Sequence, residues 1–550
     1  MTMTPLPKTQ VAVQLTGPDE LRLNPNKPVP QAGPYQILAK VEAVGLCFSD
    51  LKLLKQFAAH GRKGPIVSGM DAATLGQISS YVPNDAPTVP GHEAVVRIVA
   101  VGERVKQARV GKRYLVQTDY RWLPTAASNA AFGYNFEGAL QQYVLMDERV
   151  ITAPDGRSML IDADDTLSAS AVALVEPWAC VEDAYAVKER TTLKAGGRLL
   201  IVADEPFSEK IIHDLFKTCG TPGSITLVAA RNPLTMPIKK ADAVAALSDA
   251  AFDDVLYFGA NPQTLAALFA KIAPSGLLVL MQCGKTFGGP VDTAIGRFHY
   301  GNIRMIGTPG DNPADAIRRI PASGEIRPND AVNVIGAGGP MGVMHVVRNL
   351  CQGVAGVSVY AGDLDDGRLA ALSAIAEPLA QKNNVGYVPY NPTRNAPTRP
   401  FDYFAVMAPV PKLVAQCVAD AADGAIINIF AGIPATVGGP VDVDAYVKKG
   451  CYFVGTSGST LDDMITVLRK VQNGSLDTNI SVAAVAGLNG AIDGIRAVEH
   501  HAIPGKILVY PDCDLPLTRL EELAGKAPAA AAGLKNGLWT KAAEAALIKK

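Results

Sequence analysis

The feature that most constrains the fold is an order of elements that occurs twice in the middle of the chain. Gly197-Arg-Leu-Leu-Ile-Val-Ala203 is an apolar run of strand type, followed by a helix-prone stretch around Ile211–Cys219 and a second strand run, Ile225–Ala229. Phe252-Asp-Asp-Val-Leu-Tyr257, Leu277–Met281 and Ile303-Arg-Met-Ile-Gly-Thr308 complete the series. The same order returns as Ala331-Val-Asn-Val-Ile335, a helix, Val357-Ser-Val-Tyr360, Phe401-Asp-Tyr-Phe-Ala-Val406, Ala425–Phe430 and Cys451-Tyr-Phe-Val-Gly-Thr456. Apolar strands alternating with Ala/Leu-rich helices predict parallel sheets built from βαβ units, since parallel neighbours require a long crossover. The matched Phe-Asp and Gly-Thr pairs lie about 148 positions apart and the opening strands about 134 apart, which implies an insertion in the second copy. The pattern reads as a duplicated domain, with a single larger α/β sheet as the alternative.

Outside the repeat the texture differs. Residues 1 to about 165 hold short β-type runs broken by Gly and Pro, namely Val11–Leu15, Tyr35–Ala43, Ala94–Ala100, Arg113–Gln117 and Gln142–Val144. That spacing predicts a compact β-barrel. Phe57 to Val89 reads as a long loop, of the kind that is functional or mobile. Ala171 to Glu189 looks helical. After the second copy, Ile480–Ala484 and Lys506–Tyr510 read as strands around a helix near Leu488–His500, and the Ala- and Leu-rich tail beyond Asp514 as helical. A chain of 550 residues is too long for one core.

Charge and cysteine usage narrow the partners. The 51 basic residues nearly cancel the 52 acidic ones, which removes the electrostatic case for nucleic acid or an anionic membrane. Met1 to Gln10 lacks the charged segment and apolar run of a signal peptide, and no apolar stretch is long enough to span a bilayer. Eight cysteines are scattered without a C-x-x-C pair, as in a reduced, cytoplasmic chain, so any metal site must use mixed ligands.

The sharpest motif is Gly336-Ala-Gly338-Gly339-Pro340-Met341-Gly342, between a strand run and a helix-prone stretch. Glycines there permit a tight turn and close approach of a pyrophosphate to a helix N-terminus. About 20 residues on, the next strand ends at Asp363, whose carboxylate would accept from the ribose hydroxyls of NAD and repel the extra phosphate of NADP. NAD is therefore favoured over NADP, and Arg368 is a candidate to cover the adenine or a plain surface residue. The first copy reads Ala203-Asp204-Glu205-Pro206-Phe207-Ser208 at the matching turn and about Arg231 where Asp363 should stand, chemistry that would repel a pyrophosphate.

Three segments hold metal-competent side chains: Gly45-Leu-Cys47-Phe-Ser49-Asp50-Leu-Lys52, Pro90-Gly91-His92-Glu93, and Leu174-Val-Glu176-Pro177-Trp-Ala-Cys180. A thiolate, an imidazole and a carboxylate form the mixed set that catalytic zinc uses, although a lone Cys or His is more often an ordinary core residue. These runs, with Val99–Gly102, Val110-Gly-Lys-Arg113 and Gly505-Lys-Ile-Leu-Val509, resemble the zinc-containing medium-chain dehydrogenase/reductase family of alcohol, sorbitol and threonine dehydrogenases. The likeness covers most of residues 35–185 and 325–512.

The resemblance implies an α/β plus β architecture: a GroES-like β-barrel catalytic domain (1–170 and 475–514), a degenerate Rossmann-type domain (190–322), an NAD-binding Rossmann domain (325–474), and a helical tail (515–550). The two Rossmann-type domains are expected in tandem, each a doubly wound parallel sheet. Cys47 and His92 would bind one catalytic zinc with Glu93 or Glu176, the other carboxylate acting through water. Ser49 would bond the substrate hydroxyl and start its proton on a relay, and Asp50 would orient a ligand. The implied reaction is hydride transfer between a secondary alcohol, a polyol or sugar derivative, and NAD. An NAD-retaining epimerase or lyase and a non-catalytic NAD-binding scaffold are the alternatives. A small-molecule alcohol or carbonyl is the expected partner, with a homo-oligomer left open. The chain departs from the family in having no cysteine between Cys47 and Cys180, hence no structural zinc, in carrying Lys52 where relatives often have histidine, and in the length of the 57–89 segment. Relatives often dimerise through sheet edges; here the copies are expected to pair within one chain through Arg304–Gly307 and Tyr452–Gly455.

Overall fold

The structure, a computed structural model, describes residues 6–456 and 458–549. The first half of the N-terminal segment read above (1–5), Ser457 and Lys550 lie outside the described residues. Two compact units divide the chain: Met1–Ala179 with Ser459–Lys550, and Cys180–Gly458. No described helix is long and apolar enough to cross a membrane.

The first unit centres on an eight-stranded sheet. Its order is Thr518–Arg519, Val482–Ala486, Lys506–Val509, Gln36–Gly45, Glu93–Val101, Arg113–Val116 and Leu160–Asp162, with Tyr143–Asp147 also paired to Gln36–Gly45. Strands from both ends of the chain meet where Leu508 and Val509 pair antiparallel with Gly45 and Val44. Alternation of apolar residues along Gln36–Gly45 and Glu93–Val101 buries Ile37, Ala39, Val41, Ala94, Val96 and Ile98 in one core with Ile507 and Val509. The loop expected at 57–89 is held down by its own short turns: Lys63 is fully buried, its ammonium donating to the carbonyls of Val82 and Ala86. The tail is only partly helical. It holds short helices at Leu523–Lys526, Pro528–Ala531 and Lys541–Ile548, and is anchored where Glu544 accepts from the backbone of Ala169 and Ser170.

The second unit contains two six-stranded, all-parallel, Rossmann-like sheets. One runs Lys239–Lys240, Ser224–Ala229, Arg198–Ala203, Phe252–Phe258, Ile272–Met281, Arg304–Thr308. The other runs Gly386–Tyr390, Ser358–Gly362, Ala331–Ile335, Phe401–Val406, Ala421–Ile429, Tyr452–Val454. Numbered along the chain, both read three-two-one-four-five-six, the dinucleotide-fold order. A single apolar core serves both: Leu200, Tyr257, Leu278 and Phe298 from one side, Phe404, Ile427, Tyr446 and Phe453 from the other.

The expected pairing of the two sheet edges takes a different form. Among the described residues no backbone ladder joins Arg304–Thr308 to Tyr452–Val454; the ladder that does form is a short antiparallel ribbon of Val291–Thr293 with Gly439–Val441. The edges meet through side chains instead. Arg304 donates to the Gly455 carbonyl (3.3 Å), and Tyr446 to that of Met305 (2.7 Å). The buried carboxylate of Glu189 takes both the Arg304 guanidinium and the Tyr452 hydroxyl.

A pH dependence follows from this unit's interior. His345 is fully buried, its Nδ1 accepting from the Tyr185 hydroxyl at 2.8 Å, and burial with the nearby Arg348 charge holds its pKa down to about 3. Unfolding frees the ring to take a proton below its ordinary pKa of 6.5. The stability is thus complete above that pH and is lost as pH falls, at about 1.4 kcal/mol per unit. Urea midpoints measured from pH 7 to 5 are expected to fall more steeply in the wild type than in His345→Gln; parallel slopes would show that His345 is protonated in the fold.

Candidate metal and dinucleotide sites

Helix Phe48–Gln56 begins at Cys47, whose extended backbone makes it the N-cap; its Sγ accepts from Ser49 N at 3.5 Å, and Asp50 reaches back to Cys47 N at 3.0 Å. This capping box fixes both side chains at the helix N-terminus. Asp50 is 2% exposed, and its other oxygen lies 3.0 Å from His92 Nδ1. The ring is thereby oriented with Nε2 left for another partner. Burial alone would push the His92 pKa down, but Tyr134 and Asp50 and the bonds to Asp50 and Cys47 outweigh it and hold the ring well above the ordinary value.

Glu93 opens the strand that pairs with Gln36–Gly45, in a register that sets it directly opposite Gly45. A Cβ at position 45 would stand 2.0 Å from Glu93 Oε2, so glycine there makes room for the carboxylate. Oε1 binds the ammonium of buried Lys506, which also donates to the Leu46 carbonyl at 2.8 Å, whereas Oε2 is buried with no hydrogen-bond partner. Such an orphaned oxygen is costly unless something further binds it.

The structure brings Cys47, His92 and Glu93 together: one ligand atom from each lies within 4.8 Å of the others. Glu176 is outside this cluster but within its field. Burial raises its carboxyl to about 7, helped by the Glu93 charge and opposed by His92 and Lys506. Ser49 lies half-buried beside Cys47, and Lys52 is exposed. The S/N/O donor set, the orphaned Glu93 oxygen and the room made by Gly45 all fit a zinc ion. Gly45 and Lys506 were not singled out from the sequence, although a lysine in an otherwise apolar strand is a signal of a buried partner.

The second constellation lies in the other unit. Strand Ala331–Ile335 turns through Gly336 (φ +83°) into helix Pro340–Cys351, with Gly339 as N-cap and Pro340 in the first turn. Pro at this position sacrifices no helix hydrogen bond. Gly342 lies where an added Cβ would be 2.2 Å from the Gly336 carbonyl oxygen, and Gly338 donates its N–H to Asp363 Oδ2 at 2.9 Å. Asp363 is half-buried at the end of Ser358–Gly362, Met341 is half-buried, and Arg368 is exposed, its backbone N–H capped by Asp365. At the first sheet's turn, Phe207 stacks on Phe258 at 4.6 Å and Asp204 accepts from the Tyr257 hydroxyl at 2.6 Å, so side chains fill the space that glycines leave open in the second.

Comparison with known proteins bears on the fold and the family. Residues 33–155 match the alcohol dehydrogenase GroES-like domain. L-sorbose 1-phosphate reductase of Klebsiella pneumoniae is 31% identical over 150 residues, 27% of this chain and 36% of that protein. Sorbitol dehydrogenase of Mus musculus is 34% identical over 101 residues, 18% of this chain and 22% of that protein. The chain thus spans about a third or less of the length of these two relatives. In fold, 2R,3R-butanediol dehydrogenase from Bacillus subtilis superposes with a TM-score of 0.52 at 16% identity, covering 92% of this chain and 100% of that one. Residues 33–155 thus carry a GroES-like domain of the alcohol dehydrogenase type, and that segment with these relatives supports the zinc-type medium-chain dehydrogenase/reductase family as the one the chain resembles.

Proposed function

We propose that the protein is a zinc- and NAD-dependent oxidoreductase acting on a secondary alcohol of polyol or sugar type. The observation that carries this reading is the convergence of Cys47, His92 and Glu93 around one point with a Glu93 oxygen unsatisfied. The names of relatives, for sorbitol and for L-sorbose 1-phosphate, support the substrate class. Cys47, His92 and Glu93 would hold zinc, and the turn Gly336–Gly342 with Asp363 would hold the dinucleotide. When bound, these groups supply a more acidic alcohol and a hydride acceptor.

The chain's own residues do the rest. Asp50 bonds His92 Nδ1 and so keeps its Nε2 free for the ion. Lys506 balances the charge of the buried Glu93 carboxylate. Ser49, two residues beyond the thiolate, accepts the substrate hydroxyl proton and passes it outward. Glu176, whose carboxyl burial holds near neutrality, acts from beyond the ligand set through a bridging water. Residues 1–170 with 475–514 form the catalytic domain, and 190–322 and 325–474 are copies of one domain, of which only the second retains a dinucleotide turn. The reading is tested by elemental analysis together with a polyol and sugar screen for absorbance of reduced nicotinamide. A protein without zinc, or one that releases no NADH on any polyol, would reject it.

Cofactor choice gives a second test. Asp363 presents a carboxylate where the adenosine ribose would lie, and removing its charge removes the repulsion toward a phosphorylated ribose. Asp363→Ser is expected to raise the NADP-to-NAD ratio of kcat/KM by about tenfold or more, the scale of one lost charge interaction. An unchanged ratio would locate the discrimination elsewhere.

A further inference from the structure

An aromatic side chain packs beside His92, and the proposed reaction leaves it without a task. Tyr134 is 1% exposed and stands between two histidines: ring centroids lie 5.6 Å from His92 and 5.1 Å from His60, the latter in the 57–89 segment. The Arg62 guanidinium covers the same ring at 5.3 Å and is pinned by Asp119 at 2.9 Å. Tyr134 and His60 are thus held in place by packing and by the Arg62–Asp119 ion pair.

Their polar tips are unspent. The Tyr134 hydroxyl and His60 Nε2 have no hydrogen-bond partner among the described residues, whereas His60 Nδ1 accepts from Arg62 N at 3.2 Å. That bond fixes the tautomer: Nδ1 is the acceptor, so Nε2 carries the proton. Burial and the charges of Arg62 and Lys52 hold the His60 pKa down to about 4, so the ring is neutral at physiological pH. The Tyr134 hydroxyl lies in the field of His92, Arg62, Asp50 and Cys47. Two neutral, preoriented donors beside a candidate metal ligand suit a ligand that presents several uncharged oxygens. Buried donors left unpaired disfavour an analogue without those oxygens.

We infer that Tyr134 and His60 are substrate-positioning residues that donate hydrogen bonds to hydroxyls beyond the reacting carbon, so that this wall selects polyols over simple alcohols. The inference rests on the function proposed above and assigns the 57–89 segment a role in recognition. It is tested on the full-length, zinc-loaded protein by calorimetric titration with sorbitol and with cyclohexanol. Tyr134→Phe keeps the ring and its packing, and His60→Asn keeps an N-cap acceptor for Arg62 but gives up the ring contact with Tyr134, so Tyr134→Phe is the cleaner of the two. Each is expected to weaken sorbitol binding about tenfold or more, and cyclohexanol binding by less than threefold, with zinc content equal to the wild type. In turnover the same loss is expected in KM and not in kcat. Equal weakening of both ligands, no weakening, or no sorbitol binding by the wild type would overturn the inference. Sorbitol binding that depends on Tyr134 in a protein that never reduces NAD would instead uphold the recognition wall and reject the dehydrogenase.

Discussion

Cys47→Ser is expected to empty the metal site and to lower kcat/KM by about a thousandfold or more, roughly 4 kcal/mol of transition-state stabilisation. The substitution is chosen for what it leaves alone. Cys47 is both a ligand candidate and the N-cap of helix Phe48–Gln56, and a serine hydroxyl accepts from a helix N–H at least as well as sulfur does. The helix, the Asp50 box and the His92 orientation therefore persist, while a soft thiolate is replaced by an alcohol that is protonated at neutral pH and binds zinc poorly. Elemental analysis should show less than about one tenth of the wild-type zinc, with a melting temperature of the metal-free proteins unchanged within a few degrees. His92→Ala is less clean. It strips the ring from the buried Asp50 carboxylate and is expected to cost about 3–5 kcal/mol of stability besides the metal, the usual penalty for an abandoned buried charge. A Cys47→Ser protein that retains zinc and full activity would remove the basis for the proposed chemistry.

How much of this was legible in the sequence depends on whether a feature is local or is made by register. The strands of the repeat were legible because each is a continuous apolar run, and the glycine turn because its residues are adjacent in the chain. Which of Glu93 and Glu176 stands beside Cys47 and His92 was not. Glu93 is set there by the antiparallel register that puts it opposite Gly45 and by Lys506 arriving from a strand more than 400 residues away. Neither pairing leaves a trace in spacing. The Tyr134 wall was illegible for the same reason, since His60, Tyr134 and His92 come from three separate segments. The edge-to-edge pairing of the two sheets was read from strand position alone. In the structure the edges meet by side chains, with Glu189 holding both Arg304 and Tyr452, contacts that strand position does not reveal. The 57–89 segment looked like a free loop because its composition is polar and small, yet one buried lysine organises it.

Gly342→Ala is expected to weaken NADH binding by about a hundredfold, the effect of displacing a binding element by roughly 1 Å. The added methyl would stand 2.2 Å from the Gly336 carbonyl oxygen, 2.7 Å from Ala337 Cα and 2.8 Å from Ala337 C. All three are backbone atoms of the turn itself, so no side chain can swing away to relieve the clash. Either helix Pro340–Cys351 lifts from strand Ala331–Ile335, or the turn leaves the conformation that Gly336 adopts at φ +83°. In both cases the N–H groups at the helix start lose the positions from which they would meet a pyrophosphate. The counterpart in the first sheet gives the control. Phe207→Ala removes a ring stacked on Phe258 but touches a turn that two carboxylates and that ring already close to a dinucleotide, so its effect on NADH affinity should be under threefold. Fluorescence titration of NADH against both variants therefore asks which of the two sheets binds cofactor. A far-UV circular dichroism spectrum and a urea midpoint close to those of the wild type report that Gly342→Ala has remained folded. Loss of NADH affinity in Phe207→Ala with none in Gly342→Ala would assign the cofactor to the first sheet and invert the proposed division of labour between the copies.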